Sequence, residues 1–414
     1  MFCLDGVLNF KEVNRSVKVR IYPDDEQEDL FKQNIGCVRL VYNHILSDMI
    51  YDYKIAKQYH TGLVNLNNRK YCNMKLTNLK RNVNYGFLYD VESTSLQSAF
   101  NNLIQAMKNY FSGRSNFPYF KSKKHDDKLS FRIINNNNVK NSKNKLKIAK
   151  YGWIKCKGLR KITGKILSVT ISHVGDKWFA IINYKDSIVT EFKKTNKSVG
   201  VDLGIKNLLT LSNGEVKAKL QLQKLENKIQ KEQRKLSRKI KNSNNWMKNK
   251  KRIQEAHLKM KNTRKDYIHK ITTKLIKKYD EIVIENIKSR NLMKRTPWGE
   301  KNKSTLSKNI GHSAWHEIKR QLKYKAEWYG KQIIEVDPRN TSKKCHKCGH
   351  TNQKLKLADR TWICDKCKTT HDRDINAAKN ILQKGHKKIC TVGETGIQAC
   401  ATIVHKNHLN KKNQ

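Results

Sequence analysis

Four cysteines near the carboxyl end of the chain have the spacing of metal ligands. They form two Cys-x2-Cys pairs, Cys345 with Cys348 and Cys364 with Cys367, and fifteen residues separate the pairs. Two such knuckles can present four thiolates in a tetrahedron, which is the geometry that a structural Zn²⁺ requires. Because four sulfur ligands leave no open position, we predict one structural zinc that takes no part in catalysis. Three nearby histidines are expected to surround the metal rather than bind it: His346, His350 and His371.

The second cysteine pair is followed by two aspartates, Asp372 and Asp374, and a helix is predicted to begin between them near Arg373. On that helix Asp374 shares a face with apolar residues three, four and seven positions further along: Ala377, Ala378 and Ile381. We expect this face to pack on a sheet, so that the helix carries Asp374 to the centre of the domain. Asp372 lies on a different side and suits the N-cap position.

Two further carboxylates lie on predicted strands. In "SVGVDLGIKN", the side chain of Asp202 points to the same side as Gly200 and Gly204, and we expect the glycines to leave room for a metal ion and a phosphate. Glu285 ends "EIVIEN", at the mouth of a strand of the buried type. Asp337, at the end of "IIEVDP", is a reserve candidate for a supporting role.

Asp202, Glu285 and Asp374 are predicted to converge from two strands and one helix. Unpaired carboxylates repel one another, but together they can hold two Mg²⁺ ions, which activate a water and stabilise the leaving oxygen of a phosphodiester. This arrangement is RNase H-like. We therefore predict that the three acids bind the metals and carry catalysis.

The charge of the chain points to a polyanionic partner. It has 414 residues, with 87 Lys and Arg against 35 Asp and Glu, for a formal net charge of +52. Residues 217–278 alone hold 22 basic and 4 acidic residues, and a helical hairpin that follows phosphates is predicted there. Nucleic acid is the natural partner of such a chain. The apolar seam of the hairpin is expected to include five residues: Leu222, Leu225, Ile229, Leu236 and Ile240.

A membrane surface is the rival partner for so basic a chain, but the apolar pattern counts against it. No run of about 18 apolar residues is present, and the amino terminus lacks the apolar region of a signal peptide. Six further cysteines are scattered, which indicates reduced cytosolic thiols rather than a disulfide framework: Cys3, Cys37, Cys72, Cys156, Cys390 and Cys400. We expect a cytoplasmic, nucleoid-associated protein of a bacterium.

The order of elements predicts a multidomain α/β protein. A strand at 17–22 precedes one helix that starts after Pro23 and another that starts near Ser93, with Gly113 at its end. The second helix should bury one stripe: Leu96, Phe100, Leu103, Met107 and Phe111. Short β-like runs between 127 and 190, two of them joined by a "VGD" hairpin turn, predict a small antiparallel barrel.

Several motifs together resemble the TnpB family of transposon-encoded RNA-guided DNA endonucleases, which are relatives of compact type V CRISPR nucleases. They are "GVDLGIKNLLTLSNG", "IVIENI", "VDPRNTSKKCHKCGH", "CDKCKTTHDRDINAAKNI" and "TVGETGIQAC", with "VRIYPDDEQEDLFKQNIGCVRLVYN" and "GRSNFPYFKSK" nearer the amino terminus. The resemblance spans nearly the whole chain, and Asp202, Glu285 and Asp374 match the family's three acidic positions.

The resemblance implies a domain plan. A wedge-type β-barrel with an inserted helical recognition lobe should precede a RuvC-like nuclease domain that carries a zinc-ribbon target-binding insertion. The implied boundaries are 1–22 and 113–192 for the barrel, 23–112 for the lobe, 193–340 and 369–390 for the nuclease domain, 341–368 for the zinc ribbon and 391–414 for a basic, flexible tail.

The resemblance also implies partners. It predicts a guide RNA from the element's end, double- and single-stranded target DNA, a short flanking motif read by the amino-terminal lobe, and one site that cuts both strands. The protein should be a monomer within a ribonucleoprotein. Two alternatives stay open: a guided DNA-binding protein without cleavage, against which the intact acids count, and an RNase H-like transposase acting on element ends.

Overall fold

A computed structural model describes residues 10–59, 68–123, 129–189, 194–287, 311, 313–356 and 358–392. The stretch "RTPWGEKNKSTLSKNIG" at 295–311, whose pattern predicts a loop, lies outside these residues except for Gly311. The predicted tail lies outside them except for its first two residues. The chain divides into two compact units, and the division falls between residues 188 and 189. The unit that contains residues 10–188 is called the amino-terminal unit below, and the other is called the carboxyl-terminal unit.

The amino-terminal unit is built on a seven-stranded sheet with the order β2-β6-β7-β1-β5-β4-β3, numbered along the chain. The hairpin between β6 and β7 turns at Gly175 and Asp176, as the "VGD" pattern predicts, and Gly175 has a positive φ of 69°. The strands are β1 (Phe10–Tyr22), β2 (Leu129–Ile134), β3 (Val139–Ser142), β4 (Lys145–Ile148), β5 (Gly152–Lys157), β6 (Ile166–Val174) and β7 (Lys177–Val189).

This sheet is strongly curved. β2 and β3 stand at opposite ends of the strand order, yet only the four residues 135–138 connect them. Such a connection spans at most ~18 Å, whereas the edge strands of a flat seven-stranded sheet lie roughly 29 Å apart. The sheet therefore curls until its two edges approach each other at this end.

Two helices pack on this sheet, α1 (Asp25–Gln58) and α3 (Ser93–Phe111). Between them in the chain, α2 (Arg69–Arg81) packs against α1, α3 and a 3₁₀ helix at Val83–Tyr89. The predicted start of α1 is confirmed, because Asp24 and Gln27 form a capping box. α3 begins at Ser93 and ends before Gly113, which has a φ of 68°, also as predicted. The sequence patterns did not indicate α2.

The predicted apolar stripe of α3 is confirmed for four of its five residues: Leu96, Phe100, Leu103 and Met107 are buried. The prediction is wrong for Phe111, which is 55% exposed. Phe111 is the last residue of α3, and its ring lies beside that of Tyr110 at 5.3 Å between centroids. The stripe thus continues in sequence to a point where the helix no longer covers the core.

The carboxyl-terminal unit contains a five-stranded sheet with the order β10-β9-β8-β11-β12. β8, β9 and β10 form an antiparallel meander, whereas β11 runs parallel to both β8 and β12. Asn213 and Gly214, a pair typical of hairpin turns, lie in the turn that joins β9 to β10. The strands are β8 (Ser198–Leu203), β9 (Asn207–Leu211), β10 (Val216–Ala218), β11 (Glu281–Glu285) and β12 (Gln332–Val336).

Helices cover both faces of this sheet. α4 (Gln223–Ser237) packs against α5 (Asn244–Lys278), and the helices that pack on the sheet are α5, α6 (Trp315–Tyr329) and α7 (Arg373–Val392). Apolar side chains of α5 and α6 pack with Val199 and Val201 on one face, whereas Ile381 of α7 packs with Val283 on the other. No helix in the described part of the chain is long and apolar enough to cross a membrane.

The predicted helical hairpin is formed by α4 and α5, which pack against each other. Its seam is confirmed at Leu222 and Ile229, which are buried, but the prediction is wrong for Ile240, which is 83% exposed. α4 ends at Ser237. Ile240 therefore lies beyond the helix that would have turned it towards the seam.

Gly200 in β8 and Gly204 in the turn after β8 allow backbone segments to approach closely. A Cβ on Gly200 would lie 2.1 Å from the carbonyl oxygen of Ala378 in α7, and one on Gly204 would lie 2.4 Å from that of Asn207. The expectation that these glycines leave room for a metal ion and a phosphate is therefore wrong. The space beside Gly200 is filled by α7, and the space beside Gly204 by the turn that leads to β9.

Candidate catalytic centre and metal site

The parallel pairing of β8 and β11 brings two acidic residues to one level. Val201 stands opposite Ile284 in this ladder, so the next residues along each strand are Asp202 and Glu285. Side chains at one level of a parallel pair point to the same face. Val283, two residues before Glu285, packs against Ile381 of α7. Asp202 and Glu285 therefore lie side by side on the α7 face, at the carboxyl end of both strands.

The first turn of α7 brings the third acidic residue to this edge. α7 begins at Arg373, as predicted, and the face that Asp374 shares with Ala377, Ala378 and Ile381 is buried at those three positions. Asp374 itself is partly exposed, and its Oδ1 lies 3.7 Å from a guanidinium nitrogen of Arg360.

Asp372 has a different role. It is exposed, and its Oδ1 accepts hydrogen bonds from the backbone N–H groups of Asp374 at 3.0 Å and Ile375 at 2.9 Å. These are the contacts of an N-cap side chain. The prediction that Asp372 caps α7 is confirmed.

The pKa of Asp202 reflects the other two acids. It is raised to about 8, mainly by burial and further by the negative charges of Glu285 and Asp374. Arg373 opposes the increase. A buried carboxylate whose pKa is raised by two neighbouring carboxylates would have divalent cations as its natural counterions, because hard cations prefer oxygen ligands. The donor set therefore fits Mg²⁺.

Glu285 is buried and held by a hydroxyl. Thr341 donates a hydrogen bond of 2.6 Å to Glu285 Oε1. Burial raises the pKa of Glu285, whereas this hydrogen bond and the charges of Lys384 and Lys319 lower it. The negative charge of Asp337 also raises the pKa of Glu285. Asp337, the reserve candidate of the sequence analysis, is therefore near Glu285, but it is exposed.

The four predicted metal-ligating cysteines also converge. Their sulfur atoms all lie within 4.8 Å of one another. Cys345 Sγ is 3.6 Å from Cys367 Sγ, and Cys348 Sγ is 3.5 Å from Cys364 Sγ. A tetrahedral zinc with Zn–S bonds near 2.3 Å requires sulfur atoms about 3.8 Å apart. These thiols fit a four-sulfur metal site.

Two of the three nearby histidines contact this cluster or its neighbours without belonging to it. The ring nitrogen Nε2 of His371 lies 3.1 Å from Cys345 Sγ. The ring of His346 lies against that of His371, with 4.9 Å between centroids. His371 follows the second cysteine pair on the small hairpin formed by β13 (Thr361–Ile363) and β14 (Thr370–Asp372). Among the described residues, the group of ligand atoms that lie within 4.8 Å of one another consists of the four cysteine sulfurs.

Sequence reasoning missed three buried polar residues between these two sites. They are Thr341, which contacts Glu285, and Asn376 and Asn380 on α7. The two asparagine side chains donate hydrogen bonds to the backbone of residues 341–344. The sequence pattern that could have indicated the two asparagines is their spacing at i and i+4 within "DINAAKNI", on a helix whose neighbouring face is apolar.

Three family models match parts of the chain. Residues 13–58 match a model described as a helix-turn-helix domain, residues 180–296 one described as a probable transposase, and residues 315–381 one described as a Cas12f1-like TNB domain. In the structure, the first range contains β1 and the single 34-residue helix α1 rather than two helices joined by a turn.

Two relatives extend over nearly the whole chain. InsQ of Escherichia coli strain K12, named as a candidate RNA-guided DNA endonuclease, is 33% identical over 382 residues, which are 90% of this chain and 92% of InsQ. A protein of Streptomyces pristinaespiralis with the same description is 33% identical over 381 residues, 91% of this chain and 90% of its own length. The chain belongs to the TnpB family.

The resemblance to TnpB proteins that the motifs indicate is thereby confirmed. A solved structure of the Cas12f1–sgRNA–target DNA complex superimposes on this TnpB chain with a TM-score of 0.56 and 16% identity, covering 89% of this chain and 98% of the Cas12f1 chain. At that identity the likeness shows a shared fold. It agrees with the independent match of residues 315–381, which contain the cysteine cluster, to the Cas12f1-like domain.

Proposed function

We propose that this protein is an RNA-guided, Mg²⁺-dependent DNA endonuclease of a transposable element. The observation that carries the proposal is the convergence of Asp202, Glu285 and Asp374 at one edge of a sheet. The parallel register of β8 and β11 sets Asp202 beside Glu285, and the charges of Glu285 and Asp374 both raise the pKa of Asp202. Two further observations support it: a net charge of +52, and 33% identity over 90% of the chain to a relative named for this activity.

The chemistry follows from the three acids. When bound, two Mg²⁺ ions would activate the attacking water and stabilise the leaving oxygen of the phosphodiester. Asp202 and Glu285 present their carboxylates from adjacent strands, and Asp374 presents its carboxylate from the first turn of α7. The contact between Thr341 and Glu285 Oε1 leaves the second oxygen of Glu285 available to a metal.

The strand order supports a RuvC-like, RNase H-type nuclease domain, because an antiparallel meander is extended by two parallel strands and both faces are covered by helices. The curvature of the seven-stranded sheet supports a wedge-type barrel that carries the helical lobe. We propose the domain boundaries given above, with one change. Since β14 pairs with β13, we extend the zinc-binding insertion to residue 372.

We propose that the cysteine cluster binds one structural Zn²⁺. The sulfur separations of 3.5 and 3.6 Å support this choice, and so does the complete set of four thiols. A closed four-sulfur site holds a small module together and offers no coordination position to a substrate. The module would then contribute to target binding through its surface.

We propose that phosphate contacts along the α4–α5 hairpin hold a guide RNA. Of the 22 basic residues between 217 and 278, 17 are exposed. Base pairing to the guide would select the target DNA, with the protein reading a short flanking motif and the shape of the hybrid. We expect one protein chain in each ribonucleoprotein.

A second candidate function is a transposase that acts directly on element ends. The description of the model matched by residues 180–296 favours it. Cleavage assays with RNase-treated protein, with and without a defined guide RNA, separate the two. The proposed function requires cleavage that depends on the guide and moves with it, whereas a transposase would cut element ends without RNA.

A further inference from the structure

The hydroxyl that holds Glu285 is itself held by α7. Thr341 is 4% exposed and donates its hydroxyl hydrogen to Glu285 Oε1 at 2.6 Å. The backbone carbonyl of Thr341 accepts a hydrogen bond of 2.8 Å from Asn380 Nδ2, and the same amide group donates to the carbonyl of Lys344 at 2.6 Å. A primary amide has two N–H donors, so one side chain can serve both carbonyls. Asn380 therefore fixes the backbone segment that carries the threonine.

One turn earlier on α7, Asn376 holds the first cysteine pair. Asn376 is 1% exposed, and its Nδ2 donates to the carbonyl of Lys344 at 2.8 Å. Its Oδ1 accepts from the backbone N–H of His346 at 3.0 Å and lies 3.0 Å from the ring nitrogen Nδ1 of the same residue. His346 lies between Cys345 and Cys348. The asparagine thus connects α7 to the knuckle that supplies two of the four sulfur atoms.

The two asparagines share a helix face because they are four residues apart. The neighbouring face of α7 carries Ala378 and Ile381, which are fully buried. The first turn carries Asp374, whose charge acts on Asp202. One rigid helix is therefore in contact with the cysteine cluster, with the segment that supplies the donor to Glu285, and with the sheet that carries the acids.

We propose that Thr341 is a positioning residue for Glu285 and that Asn376 and Asn380 keep it in place, so that order in the cysteine cluster determines the geometry of the catalytic carboxylates. The inference rests on the proposed function, because it assigns Glu285 to the catalytic centre. None of these three side chains is among the acids or the metal-ligating cysteines. A buried carboxylate that loses a fixed donor gains freedom to rotate, and its metal-ligating oxygen is then no longer held in one direction.

A merely structural role makes a different prediction. If the three residues only stabilise the fold, their replacement lowers the thermal midpoint and leaves the affinity for divalent metal unchanged. If they position Glu285, a replacement that keeps the shape of the side chain lowers metal affinity with little change in the thermal midpoint. Thr341→Val keeps the branched shape and removes the hydroxyl, and Thr341→Ser keeps the hydroxyl.

The experiment compares the wild type, Thr341→Val, Thr341→Ser and Asn380→Ala as zinc-loaded, guide-bound protein. Binding of Mn²⁺ is measured by electron paramagnetic resonance without target DNA, and the half-saturating Mg²⁺ concentration is measured in guided cleavage. We expect Thr341→Val to weaken Mn²⁺ binding and to raise the half-saturating Mg²⁺ concentration about tenfold, which corresponds to about 1.4 kcal/mol. Thr341→Ser should remain within about twofold of the wild type, and Asn380→Ala should resemble Thr341→Val.

The cysteine cluster enters the same test through Cys364→Ser, which removes one ligand without touching α7. We expect this variant to weaken Mn²⁺ binding as Thr341→Val does. The inference is overturned if Thr341→Val binds Mn²⁺ and uses Mg²⁺ like the wild type. If the wild type binds Mn²⁺ but cuts no guided target, the proposed function fails, and the Mn²⁺ data still decide whether Thr341 positions Glu285.

Discussion

Asp372 accepts a hydrogen bond of 3.0 Å from the backbone N–H of Asp374, so two aspartates that are two residues apart have different roles. One caps α7, and the other begins the face that packs on the sheet. The difference predicts opposite phenotypes. Asp374→Ala should abolish guided cleavage and leave DNA binding intact, because a two-metal site fails when one of its ligands is lost.

Asp372→Ala should be mild by comparison. Loss of an N-cap costs about 1 kcal/mol, and cleavage should stay within a few-fold of the wild type. Asp372→Asn, which can still cap, is the matched control and should be neutral. A cleavage time course together with a gel-shift assay measures both properties. An inactive Asp372→Ala beside an active Asp374→Ala would reverse the assignment of the two aspartates.

The other two acids should behave like Asp374. Asp202→Ala and Glu285→Ala should each reduce cleavage below detection and leave the affinity of the ribonucleoprotein for a matched target within about twofold. Asp337→Ala is the comparison, because Asp337 is exposed and affects Glu285 only through its charge. Retained cleavage in Asp202→Ala or Glu285→Ala would remove that residue from the catalytic centre.

Stability of the metal-free protein should depend on pH through Asp202. Its pKa is raised from 3.8 to about 8, so between these values the folded state binds a proton that the unfolded state releases. Stability contributed by this group is therefore present at acidic pH and is lost as the pH rises towards 8. Asp202→Asn should have little effect on the thermal midpoint at pH 5 and should raise it at pH 8 by about 2 °C or more.

Added Mg²⁺ should reverse the order of the thermal midpoints of the wild type and Asp202→Asn at pH 8. A cation that binds only the folded wild type stabilises it by mass action, and the neutral amide of the Asp202→Asn variant would be a poor ligand. Differential scanning fluorimetry at both pH values, with EDTA or with Mg²⁺, measures all four conditions. An equal thermal midpoint for the two proteins at pH 8 in EDTA would contradict the close approach of the three carboxylates.

One zinc per chain is expected in the purified protein. Elemental analysis should find about one Zn²⁺ per chain in the wild type and less than a tenth of that in Cys364→Ser, since structural zinc supplies the folding energy of small modules. Lys366→Ala, which changes a residue between Cys364 and Cys367, should keep its zinc. Far-ultraviolet circular dichroism should show that the rest of the fold survives in Cys364→Ser. Active protein without zinc would refute the metal assignment.

The basic surface of the α4–α5 hairpin predicts a salt dependence. The test replaces four exposed residues of this surface together by glutamine: Lys228, Lys231, Arg252 and Lys259. This variant should bind RNA more weakly, and its slope of log affinity against log salt should be smaller by about 3. Each lost phosphate contact removes roughly 0.7 to 0.9 from that slope. Exchange of Lys for Arg, and of Arg for Lys, at the same positions should leave the slope unchanged. An unchanged slope in the glutamine variant would place the RNA elsewhere.

The acids and cysteines were predictable from sequence because each sits in a periodic or spaced pattern. Asp202 alternates with buried valines on β8, and Asp374 lies on a helical stripe of small and apolar residues. Thr341 and Asn380 were not predictable in this way. Their partners are a carboxylate 56 residues away in sequence and backbone carbonyls of an irregular segment, and such contacts leave no periodic trace.

Glycine shows a related limit of sequence reasoning. Gly200 was expected to leave room for a metal ion and a phosphate, and the pattern did not show that another backbone would fill the space. It is filled by α7 at Ala378. The extent of a buried stripe was also hard to place, as Phe111 and Ile240 show, because an apolar stripe can continue in sequence beyond the last turn that faces the core.

The central claim is tested most directly by retargeting. RNA-depleted protein is reconstituted with either of two defined guide RNAs that differ only in the guide segment, and each complex receives Mg²⁺ and both matching DNA targets. Asp374→Ala complexes are the control for contaminating nucleases. We predict that each wild-type complex cuts only the target that matches its guide and that neither cuts without RNA. Equal cutting of both targets, with or without RNA, would contradict RNA-guided cleavage by this protein.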